Sequence, residues 1–453
     1  MSTRISRRGF LGRSVAAGGL AAAGPIIVPS WARGAAPSDK LNVAVIGVAG
    51  RGAANLGGVA KENVVALCDV DEINLTRTAA KFPSAKTFRD FRKMLEAVEK
   101  QIEAVVVSTP DHTHAPAAAM AMRMGKHCYS EKPMTRTVFE CRTLADLARD
   151  KKLATQLGTQ IHAGTNYRRV VELVQGGAVG AVREVHVWSS ASYGGMDRPK
   201  DTPSCPPNLD WDLWLGPSRE RPYHPCYVPG KWRAWWDFGS GGLGDFGCHY
   251  MDLPFWALKL RYPTSVEAEG PPVHPETTPR SLTVRYEFPA RGTLPAVKMT
   301  WYDGGKRPTA LLSQAALVGA KTKHSNTDPA KWTSGVLFVG EKGMLLADYN
   351  RRMLLPESKY AGFTPPAETI PNTVGHHQEW INACKGQAMP GLAAGETTCK
   401  FDYSGPLTET VLLGCVSFRA GSKLAWDAAA LKATNCPKAE EFVKQPYREG
   451  WKL

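Results

Sequence analysis

Several things are missing from this 453-residue chain, and each absence narrows what it can be. The apolar stretch nearest its start, Val15 to Val28, is rich in Gly and Ala and falls short of the ~20 apolar residues that a membrane span requires. Lys and Arg outnumber Asp and Glu, 56 to 42, giving a net charge of +14. No dense Lys/Arg run accompanies that excess, so the charge reads as a solvated surface and no nucleic-acid partner is expected. The ten cysteines include no C-x-x-C pair and no Cys/His group at zinc spacing, so no metal site is expected. Cys68, Cys128 and Cys415 lie in apolar runs that suit a core, whereas Cys205 and Cys226 lie in loop-like sequence where pairing stays open. Hydrophobic residues at 43% and charged residues at 22% are ordinary for a soluble globular protein, and the length exceeds one core. Two domains after a leader are therefore expected.

The leader is residues 1–36. Arg4, Arg7, Arg8, Arg13 and Arg33 meet no acid there, and Ser6-Arg7-Arg8-Gly9-Phe10-Leu11-Gly12 matches the twin-arginine export pattern. Small residues near Ser30-Trp31-Ala32 or Gly34-Ala35-Ala36 offer cleavage sites. The expectation is a periplasmic or secreted protein that leaves the cytoplasm already folded and keeps no membrane segment after cleavage.

From residue 37 to 160 the pattern alternates strand and helix. Leu41 to Ile46 is a β-branched run suited to a buried parallel strand. It leads into Gly47-Val48-Ala49-Gly50-Arg51-Gly52, which fits G-x-G-x-x-G except that Ala49 takes the middle glycine position. Glycines belong here because the turn is tight and a pyrophosphate must approach backbone N–H groups at a helix start. A second strand, Val64 to Cys68, ends at Asp69, about the spacing expected for an acid that holds the adenosine ribose. An acid there repels a 2′-phosphate, so NAD is expected over NADP. A third strand, Ala104 to Ser108, delivers Thr109-Pro110-Asp111-His112-Thr113-His114 as a loop at a carboxyl edge, where open α/β sheets bind ligands. A helix follows from Ala115 to about Met124, then His127 to Ser130 and Glu131-Lys132-Pro133.

This combination resembles the glucose–fructose oxidoreductase/inositol dehydrogenase (Gfo/Idh/MocA) family. The features that carry it are a strand ending in Thr-Pro-x-x-x-His and a following Glu-Lys-Pro, here Thr109 to His114 and Glu131 to Pro133. A second element, Gly244-Asp245-Phe246-Gly247-Cys248-His249-Tyr250-Met251-Asp252, resembles the family's D-x-x-x-H signature. The closing segments His377 to Gly386, Pro406 to Glu409 and Trp426-Asp427 resemble a twin-arginine-exported subgroup. The resemblance implies a Rossmann domain followed, over 161–453, by an α+β domain with an open, mostly antiparallel sheet that makes oligomer contacts. It implies that Lys132 is catalytic and that Lys132-Pro133 is a cis bond. Asp245 and His249 lie four residues apart and share a helix face. Histidine exchanges a proton near neutral pH, as hydroxyl oxidation requires, while Asp245 also reads as a helix N-cap after the glycines.

The expected cofactor residues are Gly47, Gly50, Arg51, Gly52, Asp69, Thr109, Pro110, His112, His114, Glu131 and Lys132. From Val182 the period turns to strands, at Arg183 to Ser190, Ser281 to Phe288, Ala296 to Tyr302, Gly335 to Val339 and Gly343 to Tyr349. Between them, residues 194–243 form a long irregular segment with Trp211, Trp214, Trp232, Trp235 and Trp236, and long loops of this kind are usually functional. Aromatic faces suit a sugar ring, although packing of the segment explains any single tryptophan as well. Gln160, Tyr167, Arg168, Trp236 and His249 are the expected substrate contacts. The implied reaction is hydride transfer between a nicotinamide and a secondary hydroxyl of a sugar, polyol or glycoside. His249 would take the proton, Lys132 would hold the oxygen, and Asp245 would orient the substrate or tune His249. An NAD-dependent glycosidase that oxidises its sugar transiently, and a non-catalytic sugar-binding protein, are the alternatives.

Overall fold

The computed structural model describes residues 39–313 and 328–453. The twin-arginine segment lies outside the described residues. Six parallel strands form the first sheet: β1 Asn42–Ile46, β2 Asn63–Cys68, β3 Lys86–Phe88, β4 Ala104–Val107, β5 His127–Ser130 and β6 Thr155–Leu157. Their order is β3-β2-β1-β4-β5-β6, the doubly wound order of dinucleotide-binding folds. Four strands match the apolar runs of the sequence. Strands β3 and β6, three residues each, have too little pattern to read. Helices α1 Arg51–Val59, α2 Glu72–Ala79, α3 Phe91–Val98, α4 Asp111–Arg123 and α5 Val138–Asp150 connect the strands, with separate apolar clusters around Ala44 and Val105 and around Val43 and Val106. These alternating residues of β1 and β4 point to opposite faces.

Helix α4 starts earlier than the sequence indicated. Pro110 sits at the N-cap with φ −59° and ψ 154°, and Asp111 fills the first helical position. An acid there complements the helix dipole, so the turn that read as loop is already helical. His112 and His114 therefore ride on a helix.

After α6 Thr165–Gln175 the chain builds a nine-stranded sheet, ordered β13-β12-β11-β7-β10-β9-β8-β14-β15. Here β7 is Val182–Trp188, β8 Ser265–Glu269, β9 Thr283–Phe288, β10 Val297–Tyr302, β11 Gly335–Gly340, β12 Met344–Ala347 and β13 Arg352–Leu355, with β14 Leu424–Asp427 and β15 Lys432–Ala433 at the other edge. Only the β7–β10 pair is parallel; the rest of the ladder is antiparallel. Past the short α7 Trp211–Leu215, α8 Gly241–Tyr250 and the Phe401–Ala420 helix pack on one face of the sheet through Val284, Met299, Trp301 and Val411. No helix among the described residues is long and apolar enough to cross a membrane. All ten cysteines are free, so Cys205 and Cys226 do not pair.

Residues 41–453 pack as one unit, because two segments return to the first sheet. The His376–Cys384 helix lies against α1, with Trp380 fully buried among Leu56, Val59 and Tyr129. Cys399 accepts a bond from Leu157 N through its carbonyl, and Thr397 donates to Thr155 O. The irregular segment also crosses over. Asn208 O accepts from Glu72 N and from Arg89, Asn208 Nδ2 donates to Asp71, and Asp210 N bonds Val70 O.

Candidate active site

The glycine loop is built for close approach. Gly47 has φ 81°, and a Cβ there would lie 2.6 Å from Ser108 O. A Cβ on Gly52 would lie 2.1 Å from Gly47 O, so neither position admits a side chain. Gly50, with φ 55°, caps α1, and Arg51 is exposed at its first turn. Asp69 ends β2 and accepts from Val48 N and Asp71 N, 3.0 Å each, so one carboxylate pins the glycine loop from the adjacent strand. Burial raises its pKa, opposed by these amide bonds. A bare cradle of this shape at a helix N-terminus fits a dinucleotide pyrophosphate.

Two residues after β5 a cluster of charged side chains begins. The Lys132-Pro133 bond is cis, as the resemblance implied. Lys132 Nζ donates to Asp245 Oδ1 at 2.5 Å and to Asp245 O at 2.7 Å. Their side chains are 11% and 12% exposed. Asp245 also accepts from Tyr193 OH at 2.7 Å and lies 2.9 Å from Arg233 Nε. Burial works to raise the Asp245 carboxyl, but Lys132 and Arg233 outweigh it and hold it well below the usual range. Ser240, not Asp245, occupies the N-cap of α8, so the capping role does not apply. One turn later lies His249. Neither of its ring nitrogens has a hydrogen-bond partner among the described residues, and its Nδ1 is buried. Burial, then the Lys132 charge, pushes its pKa down to about 3. The ring is therefore neutral at pH 7 rather than poised near neutrality.

Around this pair the structure sorts the expected contacts. Glu131 Oε1 accepts from Asn55 at 2.9 Å and from Gln160 at 2.7 Å, and Gln160 also donates to Tyr129 OH. Asn55 Nδ2 donates to Ser108 as well, and its Oδ1 bonds His377 Nε2. This network joins α1, the Glu-Lys-Pro turn and the His376–Cys384 helix. His114 bridges Thr109 O and Pro133 O, fixing the turn after Lys132 from α4. Thr109 and Pro110 stand at the head of that helix, at the carboxyl edge of β4.

Four expectations change. His112 turns away, bonding Trp214 O and packing between Trp214 and Phe238, with burial pushing its pKa down to about 3. Tyr167 is fully buried and donates to His249 O, so it sets the histidine backbone instead of meeting substrate. Arg168 is buried against Trp256 and donates to His162 O. Trp236 packs on Phe418 and spends its indole N–H on His274 O. Trp211, Trp214 and Trp235 belong to a cluster with Tyr227 and Phe238 that holds the irregular segment together. Trp232 packs against the same cluster, and its ring lies 4.2 Å from the guanidinium of Arg233, the residue that reaches Asp245.

Three residues of the cluster were not singled out from sequence. Tyr193, just before the irregular segment, and Arg233, within it, meet Asp245 only through the fold. Asp111 was visible inside its motif but read as loop. It is buried at the head of α4, and burial, opposed by Arg233 and Lys132, raises its pKa to about 8. Asp252, three residues after His249, pairs with His162 Nδ1 at 2.9 Å and accepts from Tyr403, anchoring the start of α9 Asp252–Ala257.

Comparison with known proteins accords with this geometry. Residues 41–159 match the oxidoreductase family with an NAD-binding Rossmann fold, and residues 163–294 match its C-terminal alpha/beta domain. Among curated relatives, a glycosyl hydrolase family 109 protein of Shewanella sp. (strain ANA-3) is 24% identical over 335 residues. That alignment covers 69% of this chain and 64% of the relative. Among solved structures, the WlbA dehydrogenase of Bordetella pertussis, in complex with NADH and UDP-GlcNAcA, superposes with a TM-score of 0.57 at 17% identity, covering 86% of this chain and 99% of that one. An inositol dehydrogenase homolog of Azotobacter vinelandii, complexed with NADH and myo-inositol, gives 0.55 at 15% identity, covering 85% and 98%. With both of its domains matched in order along the chain, this protein belongs to the Gfo/Idh/MocA oxidoreductase family.

Proposed function

We propose that the protein is an NAD-dependent oxidoreductase acting on a secondary hydroxyl of a sugar, polyol or glycoside. The observation that carries this reading is a neutral, unpartnered His249 beside the Lys132 charge. A neutral imidazole accepts the hydroxyl proton, and Lys132 has a donor left after its two bonds to Asp245 with which to stabilise negative charge on the same oxygen. Asp245 keeps the ammonium in place, and Tyr193 and Arg233 keep Asp245 in place. A bound nicotinamide supplies the hydride chemistry. Gly47, Gly50 and Gly52 would admit the pyrophosphate and Asp69 the adenosine ribose, with NAD preferred to NADP because Asp69 is acidic. The test is to release and identify the nucleotide from purified protein, then to screen polyols, free sugars and glycosides for nicotinamide reduction. A bound NADP, or no nucleotide and no turnover on any member of the panel, would overturn it.

The Shewanella relatives support a second reading, an NAD-dependent glycosidase that oxidises its sugar, eliminates the aglycone and reduces the product back. It predicts release of nitrophenol from aryl glycosides without net nicotinamide reduction. The same proposal includes export, from Ser6 to Gly12. Replacing both Arg7 and Arg8 with Lys should trap the precursor in the cytoplasm.

A further inference from the structure

The helix that returns to the first sheet carries a histidine that the reaction above does not use. His377, its second residue, lies against α1. Its ring stacks on Tyr129, with centroids 5.0 Å apart at 17°. Gly58 of α1 makes the room, since a Cβ there would lie 2.5 Å from His377 Cγ. Glycine is a poor helix former, so α1 gives up propensity where the imidazole has to sit. The hydrogen bonds beyond the ring run in one direction. Asn55 is fully buried, and its Nδ2 donates to Ser108 Oγ and to Glu131 Oε1, 2.9 Å each. Both amide hydrogens are then spent, so Asn55 Oδ1 is left to accept, and it meets His377 Nε2 at 3.0 Å. The His377 proton therefore sits on Nε2. Gln160 Nε2 adds a second donor to the same Glu131 oxygen at 2.7 Å, and Lys132 N lies 3.3 Å from the other oxygen. All three neighbours offer Glu131 a hydrogen, which suits an ionised carboxylate. Burial raises the pKa of this carboxyl, and the Asn55 bond leads the influences that oppose it.

Take away the His377 donor and nothing fixes which way the Asn55 amide faces. A turned amide presents its carbonyl to Glu131, and the carboxyl must then hold a proton to bond it. We propose that His377 is a positioning residue: it locks the Asn55 amide, keeps Glu131 ionised, and so biases the bound nicotinamide toward its oxidised, cationic form. This role rests on the NAD reading of the site. Glu131 directly precedes Lys132, and a unit charge at about 10 Å in partly buried surroundings changes the balance between a cation and a neutral group by about tenfold. A site biased in this way begins each cycle ready to accept hydride.

The experiment dialyses the full-length protein to equilibrium against NAD and NADH at equal free concentrations and reads the bound ratio from the absorbance of the released nucleotides. His377→Phe keeps the stack on Tyr129 but not the donor, and should move the ratio toward NADH by about tenfold. Glu131→Gln, which removes the charge itself, should do the same. His377→Gln carries an N–H to the same place and should stay within about twofold of wild type. The double variant Glu131→Gln/His377→Phe should go no further than Glu131→Gln alone, because both changes remove one charge. A merely structural histidine would lower both affinities together and leave the ratio where it was. An unchanged ratio in His377→Phe, an equal shift in His377→Gln, or additive shifts in the double variant would overturn this role while leaving the NAD reading intact. A wild type that binds neither nucleotide would overturn both.

Discussion

Lys132 carries a charge that serves two partners. Asp245 takes two of its hydrogen bonds, and a reacting hydroxyl would take the third. Lys132→Met removes that donor from an oxygen that gains charge only as hydride leaves, so turnover should fall by about 10²–10³. Bound nucleotide, measured by absorbance after denaturation, should stay near stoichiometric, because the glycine loop is untouched. Asp111 gives a different signal. Its pKa is raised to about 8 in the folded protein, above the ordinary carboxyl value. Between about pH 4 and 8 the folded chain keeps a proton that the unfolded chain releases, so stability falls as pH rises through that window. Asp111→Asn mimics the neutral acid and should flatten this slope, gaining about 2–4 kcal/mol over wild type at pH 8 and almost nothing at pH 4 in denaturant melts. Lys132, Asp245 and His249 were legible because each sits in a short local motif. Arg233, Tyr193 and the position of Trp236 were not. Tyr193 and Asp245 meet across 52 residues, and Lys132 and Asp245 across 113, distances over which no periodicity speaks.

Secondary structure near the site is fixed by caps as much as by pattern. Helix α5 opens with a reciprocal box: Thr137 Oγ1 accepts from Glu140 N, and Glu140 Oε2 accepts from Thr137 N. Glu140 also accepts from Arg136 N, so the box holds the residues that follow the Glu-Lys-Pro turn. Thr137→Ala should cost about 1 kcal/mol in chemical denaturation. Buried strands such as β1 and β4 were readable because parallel strands covered on both faces become continuous apolar runs. The edge strands β13 and β15 escaped notice because short, partly exposed strands lack that signature. The first turn of α4 was missed because Pro110 and Asp111 read equally well as a turn and as a helix start.

At the scale of the molecule, the chain closes on itself. The His376–Cys384 helix supplies Trp380 to the first core and His377 to Asn55. Trp380→Ala should destabilise by about 3–5 kcal/mol and should weaken nucleotide binding too, since Asn55 and Glu131 lose their support. Equilibrium unfolding followed alongside nucleotide release would detect both. The crossing of the irregular segment has a kinetic consequence. Asn208 and Asp210 are stitched to residues 70–72 and Arg89, immediately after Asp69. A dinucleotide seated at Asp69 would be bolted in by a segment that also supplies Arg233 to Asp245. Its residence time is then set by how often those bonds open, and one nucleotide should outlast many reaction cycles, like a prosthetic group. Each 1.4 kcal/mol removed from the bolt should shorten that residence about tenfold, which stopped-flow displacement of NADH from Arg89→Ala would measure directly.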